Sequence, residues 1–312
     1  MRIFIRTAAS IVGTLALVAA LASLGLHFWP GEQKIAVAAA AMVPVLLVAT
    51  LAIALVCLLY ARALIRLVLA VAVAAAAVWV QAPLWRGEAA PTGATLTVLT
   101  ANIQLGQGDA GELARLVRDN EVDVLAVEEI TPEAAARIAA SSIAADLPHS
   151  FVRPDRLAYG TALYSRHPLS STATVPGFAL TALTAVATVP GRGDVQLFAV
   201  HPVPPLEPAD WADELRKIEA LLQGVPEPRP VIALGDYNAT FDHVQFRRLL
   251  TGGYRDAGQL AGAGFAPTYP TDKTYPALVG IDHVLLRGLG AAEVSTHEIS
   301  GADHRAVLAR VG

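Results

Sequence analysis

The chain has 312 residues, 54% of them hydrophobic, and a formal net charge of −4. The charge is uneven: residues 1–90 hold two acidic and six basic residues, while 91–312 hold 25 acidic and 17 basic ones, a formal −8. The first part is too apolar for a soluble globule, the second lacks the basic footprint of a tight nucleic-acid binder, and the single cysteine, Cys57, allows no intramolecular disulfide.

Three nearly uncharged runs come first, at 8–28, 35–60 and 63–80. A helix needs roughly 20 apolar residues to cross the hydrocarbon core, so each run predicts a membrane span, with Pro44 as a tolerable kink in the second. Arg2, Arg6 and the stretch Ala20-Leu21-Ala22 also suit a cleaved signal peptide, which would leave the other two spans in place. The basic residues Arg2, Arg6, Arg62 and Arg66 place the N-terminus and the 61–66 turn in the cytoplasm. Three crossings then leave residues 91–312 outside; a cytoplasmic placement needs an even number of spans. The expected organisation is a membrane domain over 1–81, a Pro- and Gly-containing linker over 82–94 and one domain over 95–312, held in the cell membrane as a multi-pass protein.

Beyond the linker, 96–101 alternates as a strand ending at Asn102, and 110–120 is an amphipathic helix. A buried strand over 122–127 ends at Glu128-Glu129, and a helix over 132–140 has Thr131 as its cap and Pro132 in its first turn. Further strands are expected at 158–165, 195–201, 231–235, 281–286 and 306–311, and further helices at 211–222 and 244–250. The mixture lacks strict alternation, which favours mixed or antiparallel sheets with helices outside.

Strand after strand carries polar residues at one end: Asn102, Glu129, His201, Asp236 with Asn238, Asp282 with His283, and Asp303 with His304. In "VIALGDYNAT" (231–240) an extended chain puts Asp236 and Asn238 on one face. The plainer reading is a turn, since Asp and Asn bond back to nearby backbone. Glu129 can lead a helix, and His201 before a proline can be a satisfied loop histidine. Six such endings together point to one site.

The ordered segments "LTANI", "DVLAVEEI", "GTALYSRHPL", "VHPVPP", "LGDYNA", "GIDHVLL" and "ADHRAV" resemble the endonuclease/exonuclease/phosphatase superfamily over roughly residues 95–311. The resemblance implies a four-layered α/β sandwich, two mixed β-sheets flanked by helices, here preceded by three transmembrane helices. It implies a metal-dependent phosphoric ester hydrolase using Mg2+ or Mn2+. Glu129, Asn102 and Asp303 match the metal site. Asp236 matches the base for the attacking water, with Asn238 orienting water or phosphate. His304 matches the phosphate-binding histidine, Asp282 its carboxylate partner, and His201 a histidine near the phosphate or leaving group. The family has Gln before its metal glutamate, whereas this chain has Glu128; strand alternation lets only one of the pair face the site, and motif position selects Glu129.

The resemblance leaves the substrate open. A membrane-anchored phosphodiesterase or endonuclease acting outside the cytoplasm is the first expectation. A phospholipid or sphingomyelin phosphodiesterase and a phosphomonoesterase are the alternatives, so the partners are a nucleic acid or lipid headgroup and the bilayer itself. No protein partner is inferable. A non-catalytic binding or sensor domain would need lost motif residues, and the main ones are present.

Overall fold

The computed structural model describes residues 1–93 and 95–312; Ala94, the last residue of the expected linker, lies outside the described residues. Two compact units emerge: Met1–Pro83 with Phe241–Val244, and Leu84–Thr240 with Gln245–Gly312.

The first unit is helical: α1 (Arg2–His27), α2 (Lys34–Ala41), α3 (Val43–Ala61) and α4 (Leu64–Gln81). Of these, α1, α3 and α4 are long and apolar enough to cross a membrane. The second apolar run is therefore not one helix. It breaks at Met42 because Pro44 has no N–H to donate and its ring crowds the carbonyl four residues back. Leu17, Ala20, Leu47, Ala54, Leu58 and Ala70 are buried between helices. Ile11, Leu15, Val48, Val56 and Val71 are exposed on the same helices. Apolar residues all round a helix are what a lipid surrounding demands. Gly13 lets α1 approach α3 closely, since a Cβ there would lie 2.8 Å from Leu58 Cγ. The segment counted with this unit is polar: buried Asp242 accepts from His27 Nδ1 at 2.7 Å and Gln81 Nε2 at 2.8 Å.

The second unit begins within a short helix, α5 (Pro83–Arg86). Its elements are β1 (Leu96–Asn102), α6 (Ala110–Asp119), β2 (Val124–Glu128), α7 (Pro132–Ala139), α8 (Ile143–Asp146), β3 (His149–Arg153), β4 (Thr161–Ser165), β5 (Leu169–Val175), β6 (Ala182–Val189) and β7 (Gly193–Val200). After them come α9 (Pro208–Gln223), β8 (Val231–Asp236), α10 (Val244–Leu249), β9 (Arg255–Asp256), α11 (Ala257–Ala261), β10 (Asp282–Arg287), β11 (Ala291–Glu298) and β12 (Arg305–Val311). One sheet runs β11-β12-β1-β2-β4-β3 and the other β5-β6-β7-β8-β10-β9. Each has one parallel pair near its centre, β1 with β2 and β7 with β8, and antiparallel neighbours elsewhere. These are the two mixed sheets with flanking helices that the sequence implied.

Period-two alternation decides which side chains meet between the sheets. Val98 from β1, Val124 and Ala126 from β2, Leu197 and Ala199 from β7, Ile232 and Leu234 from β8, and Val284 and Leu286 from β10 form one core. Leu99, Ala101, Leu125 and Val127 point the other way, onto Leu113 and Val117 of α6 and Ile138 of α7. Each such fully buried Val or Leu contributes about 1.5–3 kcal/mol. Asp109 caps α6 by accepting the Glu112 N–H at 2.7 Å, and Thr131 caps α7 through the Ala134 N–H at 3.2 Å.

Part of the expected linker belongs to this unit. The Glu88 N–H donates to the Leu260 carbonyl at 2.7 Å, the Gly264 N–H donates to the Leu84 carbonyl at 2.7 Å, and Glu88 pairs with Arg255 at 2.6 Å. The composition of 82–94 shows no such bonding, because the partners are distant in sequence.

Candidate active site

The inward-facing series of the central strands turns polar at one end. In β1, Val98 is followed on the same face by Thr100 and Asn102; in β2, Ala126 by Glu128; in β8, Leu234 by Asp236. Asp282 opens β10 directly opposite Asp236 in the antiparallel register. His201 follows β7, and Asp303 and His304 precede β12. Residues from both sheets thus converge at the end of the layer between them.

Asp236 is the centre. It is buried, and its Oδ2 lies 3.1 Å from Asn102 Nδ2, 3.6 Å from His201 Nε2 and 3.7 Å from His304 Nε2. Its Oδ1 accepts the Asn238 N–H at 2.8 Å. Oδ1 thus makes the turn bond that Asp gives back to nearby backbone, while Oδ2 faces Asn102, His201 and His304. The extended-chain expectation for Asn238 is corrected: its φ is +49°, so it leaves the strand, and its Nδ2 donates to the Pro202 carbonyl at 3.0 Å. That bond ties the loop after His201 to the end of β8.

Behind His304 stands Asp282, whose Oδ2 accepts from Nδ1 at 2.9 Å. Burial works against a charged His304, but the Asp282 and Asp236 carboxylates outweigh it and raise its pKa to about 10. Burial is the larger influence on Asp236, and raises its pKa despite His304. His201 is lowered by burial against the pull of Asp236. Tyr269, which carried no signal in the sequence, packs its ring 4.8 Å from that of His304.

The Glu128-Glu129 pair departs from the alternation argument. Glu128 stays in the strand, fully buried, with both carboxylate oxygens 3.1 Å from Thr100 Oγ1. Burial and the Asp282 and Asp236 charges hold its pKa well above the usual range. Glu129 has φ +58° and turns out of the strand. Its Oε1 accepts from Asn102 Nδ2 at 3.2 Å and its Oε2 from the Leu105 N–H at 2.8 Å. Both glutamates reach the site, one beneath it and one at its mouth, because the left-handed residue resets the direction that alternation would have assigned. Gln104, Leu105, Glu129 and Asn238 all have positive φ, a clustering of costly backbone conformations typical of functional sites.

Asp303 is partly exposed, with Oδ1 4.0 Å from His304 Nε2, and its pKa is raised by burial and by the charge of Glu129. Glu129 and Asp303 bring carboxylate oxygens together without a lysine or arginine paired to them among the described residues, while Asn102 turns its Nδ2 to Glu129 and its Oδ1 accepts the Gln104 N–H at 3.0 Å. That donor set suits a hard divalent cation. Asp236, Asp282 and His304 also offer ligand atoms within 4.8 Å of one another and could hold a metal ion. In that set His304 Nδ1 is already engaged by Asp282. Beside the site lies a cleft of 470 Å³ lined by Gln104, Gln107, Thr271, Asp272, Glu298 and Ser300. Its acids carry their own partners, Lys273 for Asp272 and Arg305 for Glu298, each at 2.7 Å.

The architecture is a mixed two-sheet sandwich with polar residues gathered at the strand ends. The sequence profile of the Endonuclease/Exonuclease/phosphatase family matches residues 99–304, and the chain belongs to that family. Among solved structures, D. rerio TDP2 complexed with single strand DNA product aligns with TM-score 0.60 and 16% identity, covering 70% of this chain and all of that one. An endonuclease/exonuclease/phosphatase from Beutenbergia cavernae aligns with TM-score 0.57 and 20% identity over 70% of this chain and 71% of that one. Truncated Caenorhabditis elegans TDP2 gives 0.56 and 17%, covering 70% and 97%. These identities speak for the fold alone. No curated protein matches the sequence significantly.

Proposed function

We propose that the chain is a divalent-metal-dependent phosphodiesterase, anchored by three transmembrane helices with its catalytic unit outside the cytoplasm. The observation that carries this reading is the convergence of Asn102, His201 and His304 on Asp236 Oδ2, with Asp282 behind His304.

In this reading Glu129, Asn102 and Asp303 hold Mg2+ or Mn2+. The metal, when bound, polarises the phosphoryl oxygens and offsets their developing charge. Asp236, made more basic by burial, accepts the proton of the attacking water. His304, an imidazolium at neutral pH, donates to a phosphoryl oxygen, and Asp282 fixes which ring nitrogen faces the substrate. Asn238 keeps the His201 loop against Asp236, and His201, neutral through burial, stands beside the leaving group. Water attacks phosphorus, one P–O ester bond breaks and the released alkoxide takes up a proton.

A nucleic-acid substrate is a second reading, favoured by the single-stranded DNA in the D. rerio neighbour. The formal −8 of residues 91–312 weighs against it, because nucleic-acid affinity depends largely on neutralised phosphates. The test is hydrolysis of bis(p-nitrophenyl) phosphate and of plasmid DNA by the full chain in detergent, with Mg2+, Mn2+ or chelator, beside Asp236→Ala. Metal-dependent cleavage of the ester that Asp236→Ala abolishes is expected. Cleavage that survives in Asp236→Ala would overturn the site assignment. DNA cutting that depends on both metal and Asp236 would establish the second reading.

A further inference from the structure

The long apolar helices carry few polar side chains, and two of those few converge on one carboxylate. Between Arg6 and His27, α1 has no ionisable side chain; between Arg66 and Gln81, α4 has no charged, amide or hydroxyl side chain. His27 closes α1 and Gln81 closes α4, and both donate to Asp242 Oδ1, at 2.7 and 2.8 Å. A third tie comes from α2, whose Val37 carbonyl accepts from His243 Nε2 at 3.0 Å. The His27 ring also packs 5.7 Å from that of Phe241. His27, Asp242 and His243 are 5%, 2% and 3% exposed. A carboxylate taken this far out of water needs donors, and the helix ends supply them.

The segment so held is Phe241–Val244, which belongs to the helical unit although Thr240 and Gln245 on either side belong to the catalytic unit. The chain enters it directly from the site. Asp236 ends β8, the Asn238 N–H closes the turn on Asp236 Oδ1, and the Ala239 carbonyl accepts from His283 Nε2 at 3.0 Å. On the far side α10 starts at Val244, and the Phe246 ring lies 4.1 Å from that of His283. Asn238, with φ +49°, is in a backbone conformation that persists only where surrounding bonds over-determine it. Asp242 and His243 add such bonds to the stretch between Ala239 and α10.

We infer that Asp242 is a positioning residue for the site: held by His27 and Gln81, it fixes the backbone on which Asp236 and Asn238 turn, so the helical unit takes part in hydrolysis. This rests on the phosphodiesterase reading for the hydrolysis, while the holding of the segment by the helix ends is separable from it. A displacement of about 1 Å at a reacting group costs on the order of a hundredfold in rate. Loosening a segment that starts a few residues after Asp236 therefore reaches kcat without touching the substrate. A pair that only fastened the segment would change stability and leave the kcat of the folded chain alone.

The experiment measures kcat and KM for bis(p-nitrophenyl) phosphate, and amide hydrogen exchange, in the full chain in detergent. His27→Leu removes a donor. His27→Asn puts one back, because the Asn amide nitrogen and the imidazole Nδ1 lie the same number of bonds from Cα. Thr14→Val, which removes the 2.7 Å bond from Arg66 elsewhere among the helices, is the control. His27→Leu is expected to lower kcat about tenfold or more with KM within twofold, and to speed exchange over 237–243 while leaving 124–128 unchanged. His27→Asn and Thr14→Val are expected to stay within threefold of wild type in kcat. A His27→Leu chain with wild-type kcat, or a His27→Asn chain as slow as His27→Leu, overturns the positioning role. Should His27→Leu not fold, Gln81→Leu removes the other donor and carries the same comparison. If the wild-type chain cleaves no ester with Mg2+ or Mn2+, the phosphodiesterase reading falls, and exchange still decides whether the helix ends hold the segment; equal exchange over 237–243 in wild type and variant overturns that.

Discussion

Asp282 and His304 belong to different sheets, yet Asp282 Oδ2 accepts from His304 Nδ1 at 2.9 Å. The bond spans the top of the core and is made by the first residue of β10 and the residue before β12. It makes the charge state of His304 depend on how the two sheets pack. In Asp282→Asn one of the two carboxylates that raise His304 is gone, while Asp236 remains, so its pKa falls from about 10 toward the ordinary range. Hydrolysis that needs the imidazolium then has its alkaline limb moved down from about 10. The expected loss of kcat at pH 8 is on the order of tenfold, set by the imidazolium fraction left at that pH. A pH–rate profile of the variant with bis(p-nitrophenyl) phosphate checks this; an unmoved alkaline limb would contradict it.

The two adjacent glutamates make opposite predictions. Glu129→Ala removes a proposed metal ligand and is expected to abolish both hydrolysis and the thermal stabilisation that saturating Mg2+ or Mn2+ gives, about 2.7 kcal/mol at a hundredfold excess over Kd. Glu128→Gln, buried and bonded only to Thr100 among the described residues, keeps the metal-induced shift. Melting of each variant with and without metal separates them.

Glu128 also predicts a pH dependence of stability. Its folded pKa lies well above the unfolded value, so the native chain binds more protons than the unfolded chain between the two. Stability in chelator therefore falls as pH rises from ~4.3 toward that higher value. In Glu128→Gln this component is absent, and the variant is expected to be the more stable form at neutral pH. Thermal unfolding across pH 4.5–8 is the measurement, and a wild-type chain that outlasts the variant at pH 7.5 would refute it.

His283 faces acceptors on both ring nitrogens, Asp256 Oδ2 at Nδ1 and the Ala239 carbonyl at Nε2, each 3.0 Å away. Both nitrogens must donate, so the ring is an imidazolium. Burial opposes this, and the Asp256 bond and charge outweigh it, raising the pKa. The stabilisation is whole below the unfolded pKa of ~6.5 and is lost as pH rises through the raised folded value. His283→Gln is expected to cost about 1–3 kcal/mol near pH 6, and less at high pH, by loosening the segment after Asp236. Denaturant titration at pH 6 and pH 9 tests the sign.

Gly235 has φ +150°, and a Cβ there would overlap the Val200 carbonyl oxygen in the neighbouring strand. Gly235→Ala therefore separates β7 from β8 just below His201 and Asp236. The expected cost is about 1–3 kcal/mol or more, with hydrolysis falling further than stability because the two site residues part. Parallel melting and rate measurements distinguish this from a purely structural effect.

What the sequence determined by itself was local: three apolar helices, the strands that end in Asn102 and Asp236 and the one that begins at Asp282, the caps Thr131 and Pro132, and a family motif set in order. Period, charge and turn chemistry are properties of neighbours along the chain, so they can be read there. Strands such as β5 and β11 were missed because their edge positions leave polar, exposed faces without clear alternation. Only the tertiary structure decided which carboxylate went where. Left-handed backbone at Glu129 and Asn238 overrode the direction that alternation assigned, and the cost of that conformation is met by a local bond to Asp236 and by bonds to Asn102, Leu105 and Pro202, which come from other strands and loops. The raised His304 and the buried Glu128 likewise arise from groups brought together across two sheets, where burial and charge act through space and not along the sequence.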